Sequence, residues 1–197
     1  MRLRRFGALG ALALLVPAAG AATFAAYTAT TQNSGNRVEA GSVELSDNGD
    51  GTSLMTMSGA VPGNTTSACI KVTYDGSLAS TVRLYGTTTG SGLDQYLDLK
   101  VTRGTYNPSE PAFKSCTNFQ PDGSDYVGAG NGVIYNGTLQ GFPDNYAAGL
   151  VDPLSGSPES WTNGEVHVYR FDVTLRNNFA AQTLDAAQTF SWEARNQ

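Results

Sequence analysis

Apolar and polar side chains alternate through much of the chain, the period of a strand with one buried face. Over residues 68–74, Ala68, Ile70, Val72 and Tyr74 share one face, and Cys69, Lys71 and Thr73 the other. Leu97, Leu99 and Val101 alternate with Asp98, Lys100 and Thr102. The longest run, 165–175, sets His167, Tyr169, Phe171, Val173 and Leu175 against Val166, Val168, Arg170, Asp172 and Thr174. Over 189–195, Phe190, Trp192 and Ala194 alternate with Ser191, Glu193 and Arg195. Shorter strands are predicted at 81–86 and 133–139.

The segments between these runs carry turn chemistry. "SDNGDGT" at 46–52, flanked by 41–45 and 53–57, predicts a hairpin, because Asn-Gly and Asp-Gly supply the positive φ that a tight turn needs. Val61-Pro62-Gly63-Asn64 and residues 74–80 are further turns. Residues 87–92 read as a polar linker, and 105–131 as a long surface excursion anchored by Phe113, Cys116, Phe119 and Tyr126. Helical signals are confined to single turns at 93–96, 145–150 and within 177–187. Trp161 is placed as a lid over one end of the core. Eight to ten short strands separated by turns predict an all-β, antiparallel two-sheet sandwich with a few helical turns in its connections. Alternation alone leaves open whether it is a jelly roll or an immunoglobulin-like sandwich.

The first residues follow another pattern. Arg2, Arg4 and Arg5 precede a stretch without charge from 6 to 36, and 6–16 is almost wholly apolar. Pro17 and Gly20 then interrupt it ahead of small residues, which is the layout of a secretory signal peptide. Residues 6–26 also approach the ~20 that span a bilayer, so an uncleaved anchor is the competing reading. Pro17, Gly20 and the alanine-rich composition favour cleavage, after Ala22 or after Ala26. The expected organisation is a leader at 1–26, an N-terminal segment at 27–40 and a β-sandwich domain at 41–197.

Residues 22–45, "ATFAAYTATTQNSGNRVEAGSVEL", resemble the start of the TasA/camelysin family of secreted bacterial biofilm-matrix fibre proteins. The likeness lies in Thr23-Phe24-Ala25-Ala26, the aromatic Tyr27, the polar stretch 28–37 and the run Ala40-Gly41-Ser42-Val43-Glu44-Leu45. It continues through the Pro-Gly turn and strands to residue 86, returns in "YLDLKVT", and ends in "TFSWEARNQ". The resemblance implies a jelly roll, cutting between Ala26 and Tyr27 by a dedicated signal peptidase, and polymerisation by donor-strand exchange. The assembly strand would comprise Tyr27, Thr28, Ala29, Thr30, Thr31 and Gln32. Physical reasoning points the same way. A free, uncharged, Thr-rich segment can add to a neighbour's open sheet edge, and a head-to-tail contact that does not close makes filaments.

Of the 197 residues, 171 would remain after cleavage, enough for one domain with a sizeable core. Nine basic against seventeen acidic side chains would then give a charge of about −8. That acidity disfavours nucleic acid and anionic membranes as partners. No stable membrane insertion is expected after cleavage. Expected partners are other copies of the chain, and beyond them matrix proteins or cell-surface glycan. In an exported chain Cys69 and Cys116 are expected to form a disulfide, with two free buried thiols as the alternative.

Catalytic signals are sparse, so no catalytic residue, metal or cofactor is assigned. His167 is the sole histidine, on an inward-facing position among aromatics. No G-x-S-x-G elbow or H-E-x-x-H motif occurs, and zinc sites of the usual kind need more His or Cys ligands. A secreted metallopeptidase, the activity described for camelysin-type relatives, is therefore the weakest reading. Ser46, Asn48 and Asp50 imitate the start of a calcium loop, but Met57 falls where the closing ligand belongs. The pairs Asp94/Asp98 and Asp122/Asp125 read as solvated surface. Asn64 and Asn136 begin N-x-T sequons. Tyr85, Tyr106, Tyr126, Tyr135 and Tyr146 could line a carbohydrate platform. A secreted glycan- or matrix-binding module is the alternative to a fibre subunit.

Overall fold

The computed structural model describes residues 28–32, 43–154 and 157–196. The protein is an all-β sandwich of two antiparallel sheets. Its strands are β1 (Thr28–Gln32), β2 (Leu45–Asp47), β3 (Thr65–Tyr74), β4 (Ser80–Gly90), β5 (Leu97–Tyr106), β6 (Phe119–Pro121), β7 (Val133–Thr138), β8 (Leu150–Val151), β9 (Pro153–Leu154), β10 (Ser157–Pro158), β11 (Glu165–Leu175) and β12 (Ala186–Asn196). The smaller sheet has the order β1-β12-β4-β8, the larger β2-β3-β11-β5-β6, with β7 also on β5. β9 and β10 form a separate two-stranded pair.

Among the principal strands the first pairs with the last (β1–β12), and β3 pairs with the last but one, β11. This nesting is that of a jelly roll.

Each predicted alternation becomes an inner face. Ile70, Val72 and Tyr74 from β3, Leu99 and Val101 from β5, and Tyr169 and Phe171 from β11 are essentially inaccessible. They meet Val82 and Leu84 of β4 and Phe190, Trp192 and Ala194 of β12. The contact between sheets is aromatic. Phe171 lies 4.3 Å from Phe190 and 6.2 Å from Trp192 between ring centroids, and Tyr169 lies 5.4 Å from Trp192. Trp161 is fully buried, and its backbone exchanges hydrogen bonds with Ser80 (2.8 and 3.1 Å).

Three local expectations are corrected. Within 46–52 the turn is confined to 48–51, and no hairpin to 53–57 forms; β2, which includes 46 and 47, pairs with β3 instead, and 53–57 is not a strand. Asn48 is drawn to β3, where its Oδ1 accepts from the Lys71 amide at 3.0 Å. Asp47 Oδ1 accepts from the Gly49 amide at 2.7 Å, so the loop's donors and acceptors serve a turn. Residues 87–90, read as linker, extend β4, because Ala186–Thr189 of β12 supply a ladder partner. Residues 145–150 form a turn followed by the start of β8, not a helix. The helical turns among the described residues are 3-10, Leu93–Tyr96 and Phe179–Ala181.

Cys69 and Cys116 are bonded, with Cα atoms 5.2 Å apart across 47 residues. Cys69 points to the outer face of β3 and is nonetheless fully buried. The excursion lies over it, fixed by the Cys69 amide to Lys114 O (3.2 Å) and by Lys71 Nζ to Glu110 (2.5 Å).

Replacing both cysteines by serine should lower unfolding free energy by roughly 2–5 kcal/mol in denaturant titration while keeping the β signature in circular dichroism. Phe171→Ala should cost about 3–5 kcal/mol by the same measurement, since its cavity would open at the aromatic contact between the sheets.

Candidate functional site: an edge strand and a buried charge cluster

The cleavage junction Ala26–Tyr27 lies outside the described residues. The remainder of the expected assembly strand, Thr28 to Gln32, is β1. It runs antiparallel to the last strand, with Thr28 opposite Arg195, Thr30 opposite Glu193 and Gln32 opposite Ser191. β1 therefore occupies the end of the smaller sheet and covers only the C-terminal half of β12. Among the described residues it pairs with no other strand.

A second concentration of polar groups sits where β5 and β11 pass the strap that carries β8 to β10. Arg103 continues the inward parity of Leu97, Leu99 and Val101 and lies directly opposite Tyr169 in the ladder. Its Nε donates to Asp122 Oδ2 at 2.5 Å, Nη1 to Glu159, and Nη2 to the Tyr126 hydroxyl at 3.1 Å. Asp152 Oδ2 lies 3.7 Å from Nη1, and the Tyr169 hydroxyl lies 2.9 Å from both Asp152 oxygens. His167 Nε2 is 3.0 Å from Glu165 and 3.9 Å from Glu159, and its ring meets Trp161 at 4.6 Å. One glycine permits this approach. A Cβ on Gly104 would collide with the Gln120 backbone, so only glycine lets β6 lie against β5 and bring Asp122 to Arg103.

The charges perturb one another. Burial pushes the Asp152 carboxyl above its ordinary range, against the opposing pull of His167, Arg103 and the Tyr169 hydroxyl. Burial alone would lower Arg103; Asp152, Asp122 and Glu159 together hold it higher than usual. Burial and Asp152 push the Tyr169 phenol well up. Burial would raise Glu165, but the Thr162 amide and His167 outweigh it and hold it low.

Asp152, Glu159 and His167 place one ligand atom each within 4.8 Å of one another, the one such set among the described residues. Arg103 already bonds Glu159 and faces Asp152, so its guanidinium supplies the positive charge that an ion would bring. The group reads as a buried ion-pair network. It fastens the strap: β8 pairs with β4 of the smaller sheet, while Asp152 and Glu159 grip Arg103 of the larger one.

The remaining candidates are scattered. Asp98 pairs with Arg176 at 2.5 Å, and Asp125 accepts from the Ala129 amide at 3.0 Å. Asp122, expected on solvated surface, is instead a partner of Arg103. The tyrosines are distributed over several elements, with Tyr106 donating to the Ser115 carbonyl at 3.2 Å. Tyr126 lies against Arg103 and Tyr135 against Phe142. Tyr146 stacks on Arg195, with 3.7 Å from guanidinium carbon to ring centroid, and Tyr85 donates to Glu193 at 2.7 Å. Burial and Glu193 raise the Tyr85 phenol to about 12. Asn64 and Asn136 are exposed. Arg103, Asp152 and Glu159 were not singled out from the sequence. The available signal was an arginine in step with Leu97, Leu99 and Val101, a position that demands buried acids.

Arg103→Ala should cost about 3–5 kcal/mol in denaturant titration, because it strands buried carboxylates. A carboxyl whose folded pKa is raised adds stability below its ordinary value near ~3.9 and loses it as pH climbs through the folded value. Asp152→Asn removes that loss. Its stability relative to wild type should therefore rise as pH climbs above the ordinary aspartate value of ~3.9; a relative fall would mean that Asp152 is held ionised. No family model matches the chain, and no curated protein matches it.

Proposed function

We propose that the chain is a secreted structural subunit of an extracellular fibre or surface matrix, assembling head-to-tail through its N-terminal strand. The observation that carries this reading is the position of β1. It is an edge strand held by backbone pairing to β12, and residues 33–42, "NSGNRVEAGS", link it to the next described segment. A strand from another copy can make the same hydrogen bonds in the same register, so exchange between chains conserves the ladder. When β1 of one copy serves β12 of the next, the contact is heterologous and repeats into a filament.

The jelly roll supports the reading by what it leaves open. Without β1, the half of β12 from Ser191 to Arg195 presents an unpaired edge over a buried Trp192 and Ala194. Such an edge promotes association. The resemblance of residues 22–45 and of the last strand to the TasA/camelysin fibre proteins agrees with this, as does a leader that would free Tyr27 on cleavage. The buried charge cluster has a structural place in the account, holding the opposite side of the sandwich shut while the β1 edge exchanges.

Deletion of residues 27–36 should leave a folded monomer that forms no filaments in negative-stain microscopy. Thr30→Pro, which removes a backbone donor from β1, should lower filament yield without unfolding the domain. Filaments of normal yield from the deletion variant would contradict the proposal.

A further inference from the structure

At the end of the sandwich away from Arg103, the two sheets enclose a cavity of about 820 Å³. Its floor includes Ile70, Val173, Phe190 and Trp192, the same side chains that fill the core elsewhere. One wall is the segment from Ser53 to Ala60, which joins no ladder and packs Leu54, Met55 and Met57 against the core. The opposite wall is the N-terminal half of β12, beyond the residues that β1 covers.

Among the described residues that line the cavity, none is Asp, Glu, Lys, Arg or His. The polar side chains among them are neutral, and include the hydroxyls of Thr56, Thr183 and Thr189, the carboxamides of Gln182 and Gln188, and the indole of Trp192. The loops that form the mouth also carry two apolar side chains turned to solvent, Val61 (59% exposed) and Phe179 (83% exposed).

We infer that this cavity is a binding site for an uncharged single-chain amphiphile, an aliphatic tail with a neutral, hydroxyl-bearing head group. The volume falls in the ~300–1,000 Å³ range of small-molecule sites. Packed sheets lie about 10 Å apart, so the space between them is a slot that suits a tail better than a bulky ring system. Methionines along one wall adapt to a flexible chain. An ionised head group would be desolvated with no counter-charge among the described lining residues, whereas a hydroxylated one finds partners there. The chain's own N-terminal segment is a poor occupant by composition: β1 is already paired with β12, and the sequence 33–42 contains Arg37 and Glu39. The inference concerns the single subunit and does not depend on filament formation.

The test is isothermal titration of the full-length chain, below the micelle concentration, with three probes: decyl maltoside, decanoate and maltose. Decyl maltoside should bind saturably at one per chain. Decanoate, with a comparable tail and a carboxylate, should bind at least about tenfold more weakly, and maltose should not bind. Met57→Asp places a charge in the wall and Ala60→Phe fills the space; both should abolish binding while retaining the far-ultraviolet spectrum and cooperative unfolding of wild type. Absence of saturable binding by decyl maltoside would overturn the inference. Equal binding of maltose would do the same, since it assigns recognition to the sugar. Undiminished binding in both variants would place the amphiphile on the apolar leader instead. Self-association of the chain that Met57→Asp abolishes, with no amphiphile bound, would assign the cavity to a second copy.

Discussion

The face-to-face packing of β11 on β12 organises this molecule. They are two of the longest strands and neighbours in sequence, yet they lie in different sheets. Tyr169 and Phe171 on one meet Phe190 and Trp192 on the other, and these rings are almost wholly withdrawn from water. Aromatic side chains bury large areas and prefer tilted or edge contacts, so one such cluster fixes both the spacing and the relative rotation of the sheets. Every other principal strand then attaches to one of these two or to their neighbours. β3 and β5 flank β11, and β4 and β1 flank β12.

The two sides of the sandwich are closed by different physics. On one, a buried guanidinium collects carboxyls from the strap and the excursion, and Tyr169 and His167 take the remaining polar contacts. Breaking such a network strands charge in a low dielectric and is strongly unfavourable. On the other, closure depends on β1, whose register with β12 is a set of backbone hydrogen bonds that any strand of similar shape could make. The disulfide acts elsewhere, pinning the excursion to the outer face of β3. On the proposed reading, one firmly closed side and one edge held by backbone pairing would suit linear assembly.

Much of this was legible in the sequence because alternation reports a buried face directly. The strand at 165–175 matches its predicted bounds, and the faces of β3, β5 and β12 hold the residues that the period assigns to them. Where the signal came from a partner rather than from the segment itself, local reading failed. Gly-Thr-Thr-Thr-Gly at the end of β4 looks like linker until Ala186–Thr189 lie beside it. Residues 53–57 alternate like a strand, but the chain carries them along the cavity with no ladder to join. Arg103 is the sharpest case. Its inward parity was visible, but Asp122, Asp152 and Glu159 are distant in sequence and reach it only through the excursion and the strap.

The central claim is that β1 belongs to β12 of another copy once the protein assembles. Thr28 and Arg195 are directly opposed in that register, and cysteines at directly opposed strand positions can be bridged. The measurement is non-reducing electrophoresis of the Thr28→Cys/Arg195→Cys variant after mild oxidation, on monomeric and on filamentous material. The account predicts a bridge within the chain in the monomer and a ladder of covalently linked chains from the filaments. Filaments that yield only single chains with an internal bridge would contradict it.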